Sequence, residues 1–256
     1  MFHPVFFNSA SRFNSALSSD FLDDYDNYLT DKILKEESRQ PSKTFAPSSI
    51  RCKRISWFRL RGVSPEQEVH VDKTLNFSAQ VGTACHRTIQ ENLQSWLGSS
   101  WIDVEEYLAS SNRPYTYSCT KSGPETNVII TDPPIKFSPD GIIKYKDKLF
   151  LLEIKTSEYS SFDKLSDPKP QHVDQIKCYC TLLGINNALV LYQDRQYGDF
   201  KCYEANVLNY EMEAMWAMFK EVQDYVTKNI APPKLPSGDP WCTPAHCRYY
   251  NKCKEW

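Results

Sequence analysis

The sequence lacks a strong excess of charge, a long apolar run, an internal repeat and a low-complexity tract. Its 30 lysine and arginine residues stand against 32 aspartate and glutamate residues, which leaves a formal net charge of −2. Such a chain is not a polycation, so any contact with nucleic acid has to come from a local basic patch. No apolar stretch approaches the length of a membrane span, and residues 1–7 lack the basic region of a secretory signal peptide. We therefore expect a cytoplasmic protein that contacts no membrane.

Cysteine, in contrast, is abundant: the 256 residues include nine, an odd number. In a reducing compartment, clustered thiols more often bind metal than form disulfides. The length suffices for one large domain with a substantial core or for two small ones.

The spacing of apolar residues divides the chain into three segments. Residues 1–45 carry one amphipathic pattern, over 21–34, and are expected to form an accessory helical segment. Residues 46–230 would form the main domain, and 231–256 a tail rich in proline and cysteine. The patterns in the main domain predict helices at 50–61, 80–97, 171–183 and from Asn209, and strands at 101–107, 115–119, 127–131, 135–145, 148–155, 187–192 and 201–207. This order predicts an α/β fold, with a mixed sheet covered by helices on both faces.

Two of the predicted helices carry residues of interest. The helix at 50–61 interleaves basic with aromatic side chains: Arg51, Lys53, Arg54, Arg59 and Arg61 with Trp57 and Phe58. We expect the aromatic rings in the core and some of the cations on a phosphate backbone. In the helix at 80–97, apolar residues four apart predict a core stripe that includes Cys85, with His86 at its edge.

A charged group interrupts the most apolar strand of the chain. Glu153 and Lys155 alternate with apolar residues, so their side chains should share one face of the strand. The Pro-Asp-Gly turn upstream places Asp140 in a hairpin that could bring it beside Glu153. One interpretation is a structural Glu–Lys ion pair. The other is a site for a hard divalent cation and a water nucleophile, which two carboxylates and a lysine would suit.

The tail concentrates three cysteines within a dozen residues, Cys242, Cys247 and Cys253. Three thiolates need a fourth ligand, and His246 would complete a Cys3His zinc site. A cysteine from elsewhere, such as Cys52 or Cys85, would instead give four thiolates, which suit a [4Fe–4S] cluster. The residues alone leave zinc, an iron–sulfur cluster and a metal-free tail open.

Taken together, these motifs resemble the PD-(D/E)xK nuclease superfamily. Asp140 followed by Glu153-Ile154-Lys155 resembles its signature, and Gln175 with Tyr179 four residues later resembles the motif of its RecB-like branch. Gly82 and His86 are similar to the G-x3-H motif of that branch. Residues 45–62 and the cysteine tail resemble the CRISPR-associated and phage-encoded iron–sulfur exonucleases, although this tail opens with an x4 gap where the family usually has C-x2-C.

The resemblance implies a restriction-endonuclease-like core over 46–230 and a metal-dependent DNA exonuclease. It implies that Mg²⁺ or Mn²⁺ binds to four positions, Asp140, Glu153, the Ile154 carbonyl and His86. Lys155 would orient the attacking water, while Gln175 and Tyr179 would line the site. It further implies a [4Fe–4S] cluster that closes the tail onto the start of the domain through Cys52, Cys242, Cys247 and Cys253.

The expected partner is DNA, as single strands or duplex ends, with recombination or replication proteins as further candidates. Two other functions remain open. One is an endonuclease of the same fold, which would nick a closed circle. The other is a non-catalytic DNA-binding module clasped by metal, which the intact Asp140, Glu153 and Lys155 disfavour.

Overall fold

The computed structural model describes residues 15–37, 41–66 and 73–256. The described residues separate into two compact units. One contains helix α1 (Ser15–Glu37) and residues 73–76, and the other contains 41–66 and 77–256. The helix predicted at 21–34 is thus confirmed, whereas 1–14 and 38–40 of the predicted accessory segment lie outside the described residues.

In the first unit, most of the apolar side chains of α1 are exposed. Phe21, Tyr25 and Tyr28 stack in sequence along one side of the helix, and Ile33 is the one apolar side chain that is buried among residues 19–36. Lys73 forms an ion pair with Asp26.

The second unit is built on a five-stranded mixed sheet in the order β1-β5-β6-β7-β8. Its strands are β1 (Trp101–Ile102), β5 (Gly141–Tyr145), β6 (Lys148–Ser157), β7 (Asn187–Asp194) and β8 (Phe200–Asn206). Only β6 and β7 run parallel, so their carboxyl ends lie at the same edge of the sheet. A smaller antiparallel sheet is formed by β2 (Tyr117–Ser122), β3 (Glu125–Ile130) and β4 (Ile135–Phe137).

Helices cover both faces of the central sheet, as the sequence predicts. The helices are α2 (Lys53–Leu60), α3 (Lys73–Leu97), α4 (Val104–Ala109), α5 (Tyr159–Asp163), α6 (Pro170–Leu183), α7 (Asn209–Thr227) and α8 (Tyr250–Glu255). On one face Ile89 of α3 packs with Leu152 and Ile154. On the other face Leu151 shares the main core with Ile176 of α6. This alternation leaves Glu153 and Lys155 on the α6 side, as the period of a strand requires.

The structure corrects three predicted elements. The strand expected at 101–107 ends at Ile102, because the Asp103 carboxylate accepts hydrogen bonds from the amides of Glu105 and Glu106 and begins α4. The single strand expected at 135–145 is two strands in different sheets, separated at Pro139, which has no amide hydrogen to donate. The helix expected from residue 50 begins at Lys53, after a short 3-10 helix at Pro47–Ser49, and it ends before Gly62 at φ +70°.

The predicted core position of Cys85 is also wrong. Cys85 is half-buried and lines an open apolar groove of about 610 Å³ with Ile89, Leu93, Leu191 and Phe200. The stripe on α3 contacts the sheet mainly through Ile89, since the other residues of the stripe are only partly covered. Among the residues that the structure describes, none of the helices is both long enough and apolar enough for a bilayer crossing.

Candidate active site

The hairpin of β5 and β6 brings Asp140 to the middle of β6. Gly141 pairs with Leu152, so Asp140, one residue earlier in the antiparallel strand, lies beside Glu153 and Ile154. Its Oδ2 accepts a hydrogen bond from the Ile154 amide at 2.6 Å. This bond fixes the carboxylate at the point where the Pro-Asp-Gly turn enters the sheet. Gly141 is required there, because a Cβ atom would stand 2.6 Å from the Trp101 ring.

Glu153 is the most deeply buried carboxylate of this group, with 1% of its surface exposed. Its Oε1 forms an ion pair with the Lys155 ammonium, while Oε2 is buried and has no hydrogen-bond partner. Burial first, and then the negative charge of Asp140, raise the pKa of Glu153 to about 7 against the opposing effect of Lys155. Burying a carboxylate oxygen without a partner costs free energy. A cation that bound to Oε2 would offset this cost.

A chain of hydrogen bonds runs from Lys155 across to α6. The Lys155 ammonium donates to Gln175 Oε1 at 3.1 Å, and Gln175 Nε2 donates to the Tyr179 hydroxyl at 3.1 Å. The Tyr179 hydroxyl donates in turn to the Ser138 carbonyl at 3.1 Å. Because Gln175 and Tyr179 are one helical turn apart on α6, they present their polar ends together. The chain therefore holds Lys155 in one orientation and ties α6 to the turn before Asp140.

Helix α3 contributes to the site from the opposite side of the sheet. His86 Nδ1 lies 3.5 Å from Asp140 Oδ1, and Gln90 one turn later donates to the Asp140 carbonyl at 2.8 Å. Gly82, one turn earlier, faces β6, where a Cβ atom would stand 3.4 Å from Thr156 Oγ1, an ordinary van der Waals contact. The structure thus brings together His86, Asp140, Glu153, Lys155, Gln175 and Tyr179. Ile154 joins them through its amide, while its side chain packs on the α3 face.

The donors at this site fit a hard divalent cation in their chemistry. Carboxylate oxygens are the ligands that Mg²⁺ and Mn²⁺ prefer, and the unpartnered Glu153 Oε2 is the oxygen most in need of a cation. Within residues 15–37, 41–66 and 73–256, however, no three His, Cys, Asp or Glu side chains already stand at ligand spacing. Asp140 and Glu153 are instead engaged by the Ile154 amide and the Lys155 ammonium, so a cation would have to replace part of these contacts.

The second predicted site is at the tail. Cys52, Cys242, Cys247 and Cys253 are all reduced and only partly exposed. Burial raises the pKa of Cys52, and the negative charges of Cys253 and Cys242 raise it further. The pKa of Cys247 is raised by burial and then by the other three thiols. The structure therefore places the four predicted cysteines near one another. Among the described residues, however, no three of these thiols already stand at ligand spacing.

The tail is fastened to the start of the unit by an extensive contact surface. The Glu66 carboxylate accepts hydrogen bonds from the Asn251 and Lys252 amides at 2.7 and 3.0 Å. Phe58 stacks on Tyr249 with a centroid distance of 5.1 Å, and Trp57 meets Trp256 edge-on at 5.2 Å. These contacts hold the tail against α2 and the residues that follow it.

The basic helix does not present a row of cations to solvent. Arg54 is buried and donates to the Pro232, Cys253 and Trp256 carbonyls, at 2.6, 3.0 and 3.3 Å, and to Cys253 Sγ at 3.4 Å. Arg61 lies over the Trp57 and Trp256 rings, and Lys53 forms an ion pair with Glu221. Trp57 and Phe58 are in the core, as expected. The cations of this helix therefore mainly hold the tail and α7.

Sequence reasoning missed Gln90 and His172. Gln90 follows His86 by one turn, which is a signal that could have been read. His172 Nδ1 lies 2.6 Å from the Tyr192 hydroxyl, which also accepts from the Lys169 amide. The pKa of His172 is lowered to about 3 by burial first and then by the charges of Lys155 and Lys169. A neutral histidine beside the site lysine depends on tertiary contacts that the sequence does not reveal.

Comparisons of the sequence with protein-family models and with curated proteins find no match. Among solved structures, the chain is similar to SSO0001, with 18% identity over 92% of this chain and 98% of that chain, at a TM-score of 0.49. It is also similar to LHK-Exo, an alkaline exonuclease from Laribacter hongkongensis, in complex with dAMP, with 14% identity over 78% and 94% of the two chains, at a TM-score of 0.43. A second LHK-Exo structure gives 14% identity over 78% and 97%, at a TM-score of 0.38. Because these similarities are weak in both sequence and structure, the proposed function rests on the geometry of the site.

Proposed function

We propose that this protein is a metal-dependent DNA nuclease that hydrolyses phosphodiester bonds as an exonuclease. The observation that carries the proposal is the convergence of Asp140, Glu153 and Lys155 at one place on the central sheet, with Glu153 Oε2 buried and unpartnered. A purely structural Glu–Lys pair needs neither a second carboxylate beside it nor an orphaned oxygen. The arrangement suits a site that is completed by a cation.

Asp140 and Glu153 would hold Mg²⁺ or Mn²⁺, with His86 and the Ile154 carbonyl as further ligands. When bound, the cation would supply Lewis-acid chemistry: it would activate water and neutralise charge on the leaving oxygen. Lys155, oriented by Gln175, would donate to the attacking water or to a phosphate oxygen and stabilise the negative charge of the transition state. The water oxygen bonds to phosphorus as the bond to the 3′ oxygen breaks. The products are a 5′-phosphate and a 3′-hydroxyl, and one water is consumed.

The tail belongs to the same proposal as a structural element. Cys52, Cys242, Cys247 and Cys253 would bind a [4Fe–4S] cluster, which would fasten the end of the chain to α2. The closeness of the three tail cysteines to Cys52 supports this ligand set. His246 is the alternative fourth ligand, for zinc: its Nδ1 lies 2.9 Å from Thr243 Oγ1, so Nε2 is the nitrogen that would bind the metal.

The nuclease activity is tested with end-labelled DNA in Mg²⁺, in Mn²⁺ and in EDTA. Asp140→Asn should abolish a metal-dependent release of nucleotides. Asp147→Asn is the matched control, because Asp147 is a fully exposed carboxylate in the turn at the far end of the same hairpin. The proposal fails if the wild type is as inert as Asp140→Asn on single strands, duplex ends and closed circles. If the wild type nicks closed circles, the proposed activity is instead that of an endonuclease.

The cluster is tested on anaerobically purified protein by iron and sulfide analysis and by visible absorption. Cys253→Ser should lose iron and colour. Cys202→Ser should keep both, because Cys202 is exposed on β8, away from the tail. Colourless wild-type protein that contains stoichiometric zinc would overturn the cluster in favour of zinc.

A further inference from the structure

Two exposed tyrosines stand at the edge of the sheet where β6 and β7 end. Tyr159 and Tyr197 have 41% and 64% of their surfaces exposed, and their rings meet edge-on with a centroid distance of 5.0 Å. Neither residue has a role in the site described above. Large rings at the surface expose apolar area to water, so a pair of them fixed in contact is a candidate binding surface.

The pair lies close to the proposed catalytic lysine. Because β6 and β7 are parallel, Lys155 pairs with Tyr192, and Ser157 pairs with Asp194 at the same edge. Tyr159 begins α5 two residues after Ser157, and Tyr197 lies in the turn that follows Asp194. Ser157 is therefore roughly 7 Å beyond Lys155 along the strand, and the rings come directly after it.

The turn that carries Tyr197 is held firmly in place. The buried Asp194 carboxylate accepts hydrogen bonds from the Gln196 and Tyr197 amides at 3.2 and 2.7 Å. The Arg195 amide donates to the Ser157 carbonyl at 2.9 Å, and its guanidinium donates to the Ser78 carbonyl at 3.1 Å. The turn that presents Tyr197 is thus fixed before any ligand arrives, which lowers the entropic cost of binding.

We propose that Tyr159 and Tyr197 form a stacking surface for an unpaired base of the DNA strand whose phosphate lies at Lys155. The inference rests on the proposed nuclease function and specifies its substrate. Every base has a π-face, so stacking on aromatic rings tolerates any sequence, but only an unpaired base offers that face. The surface therefore selects a single-stranded segment next to the scissile bond over an intact duplex.

The test measures binding by fluorescence anisotropy of labelled oligonucleotides in the Asp140→Asn background, so that the DNA stays intact. The double variant Tyr159→Leu/Tyr197→Leu should bind a single strand roughly 5- to 100-fold more weakly, as expected for the loss of base stacking. Tyr159→Phe/Tyr197→Phe keeps the rings and should bind within about a factor of two of its parent. Tyr210→Leu is the matched control, because Tyr210 is 66% exposed at the opposite end of the sheet.

Three outcomes decide between the claims. The stacking surface is wrong if the double leucine variant binds single strands as tightly as its parent. It is also wrong if blunt duplex binding falls by the same factor, or if the slope of affinity against salt concentration changes, because that slope reports phosphate contacts. If the parent protein binds no DNA of either form, the proposed function itself has failed, and that result is distinct from the other two.

Discussion

His172 provides a pH-dependent term in stability that can be measured without knowing the substrate. Its imidazole packs beside Tyr192 and faces the charges of Lys155 and Lys169, which together with burial lower its pKa from 6.5 to about 3. The Tyr192 hydroxyl accepts from the Lys169 amide and can donate its own hydrogen only to an unprotonated Nδ1. The folded protein therefore keeps this histidine neutral.

The sign of the effect follows from proton binding. Below pH 6.5 the unfolded chain takes up a proton at this histidine, and the folded chain does not until about pH 3. The stability that His172 contributes is thus complete above pH 6.5 and is lost as the pH falls towards 3. At about pH 5 the unfolded chain is protonated at this histidine and the folded chain is not. Counted at 1.36 kcal/mol per pH unit below 6.5, this would lower the free energy of unfolding by about 2 kcal/mol. Because the ring is only partly buried, solvent screening reduces the expected loss to about 1 kcal/mol.

The measurement is urea unfolding of the wild type and of His172→Gln between about pH 7.5 and pH 5. Glutamine can still accept a hydrogen bond from Tyr192 but does not titrate. The free energy of unfolding of the variant should therefore gain about 1 kcal/mol relative to the wild type over this range. If the difference between the two proteins is constant with pH, His172 is not held neutral and the reasoning is refuted.

Three further changes test other contacts. Glu153→Gln should abolish activity yet raise the melting temperature of the metal-free protein by a few degrees above pH 7. The reason is that the pKa of Glu153 is raised in the folded protein, so its charged form destabilises the fold as the pH rises from 4.5 to about 7. An unchanged or lower melting temperature would contradict this. Tyr179→Phe should cost about 1 kcal/mol of stability in urea unfolding, through loss of the bond to the Ser138 carbonyl, and should lower the nuclease rate without affecting iron content; full activity would remove Tyr179 from the site. Arg54→Met should cost about 2–4 kcal/mol and lower the iron content, because it leaves several tail carbonyls without a donor. Lys53→Met is the control, because Lys53 forms its ion pair with Glu221 on α7.

The strand residues of the site could be predicted because their placement is local. The period of β6 decides that Glu153 and Lys155 share a face, and a short hairpin decides that Asp140 lies beside them. The same logic failed at 101–107, where one carboxylate, Asp103, outweighs the apolar pattern by capping a helix. A cap is a single hydrogen-bonding choice, so it is nearly invisible to a periodicity that is averaged over a window.

The site residues that lie on helices could not be placed by such local reasoning. His86 and Gln175 reach the site from opposite faces of the sheet, and nothing local says that α3 and α6 meet there. The Gln90 bond to the Asp140 carbonyl holds α3 against the turn, and the Tyr179 bond to the Ser138 carbonyl holds α6 there. Both contacts act on the backbone at or beside the charged residues. The orientation of Lys155 and Asp140 is therefore decided by how two helices pack, and Gln90→Leu should disturb the site without altering any charged group in it.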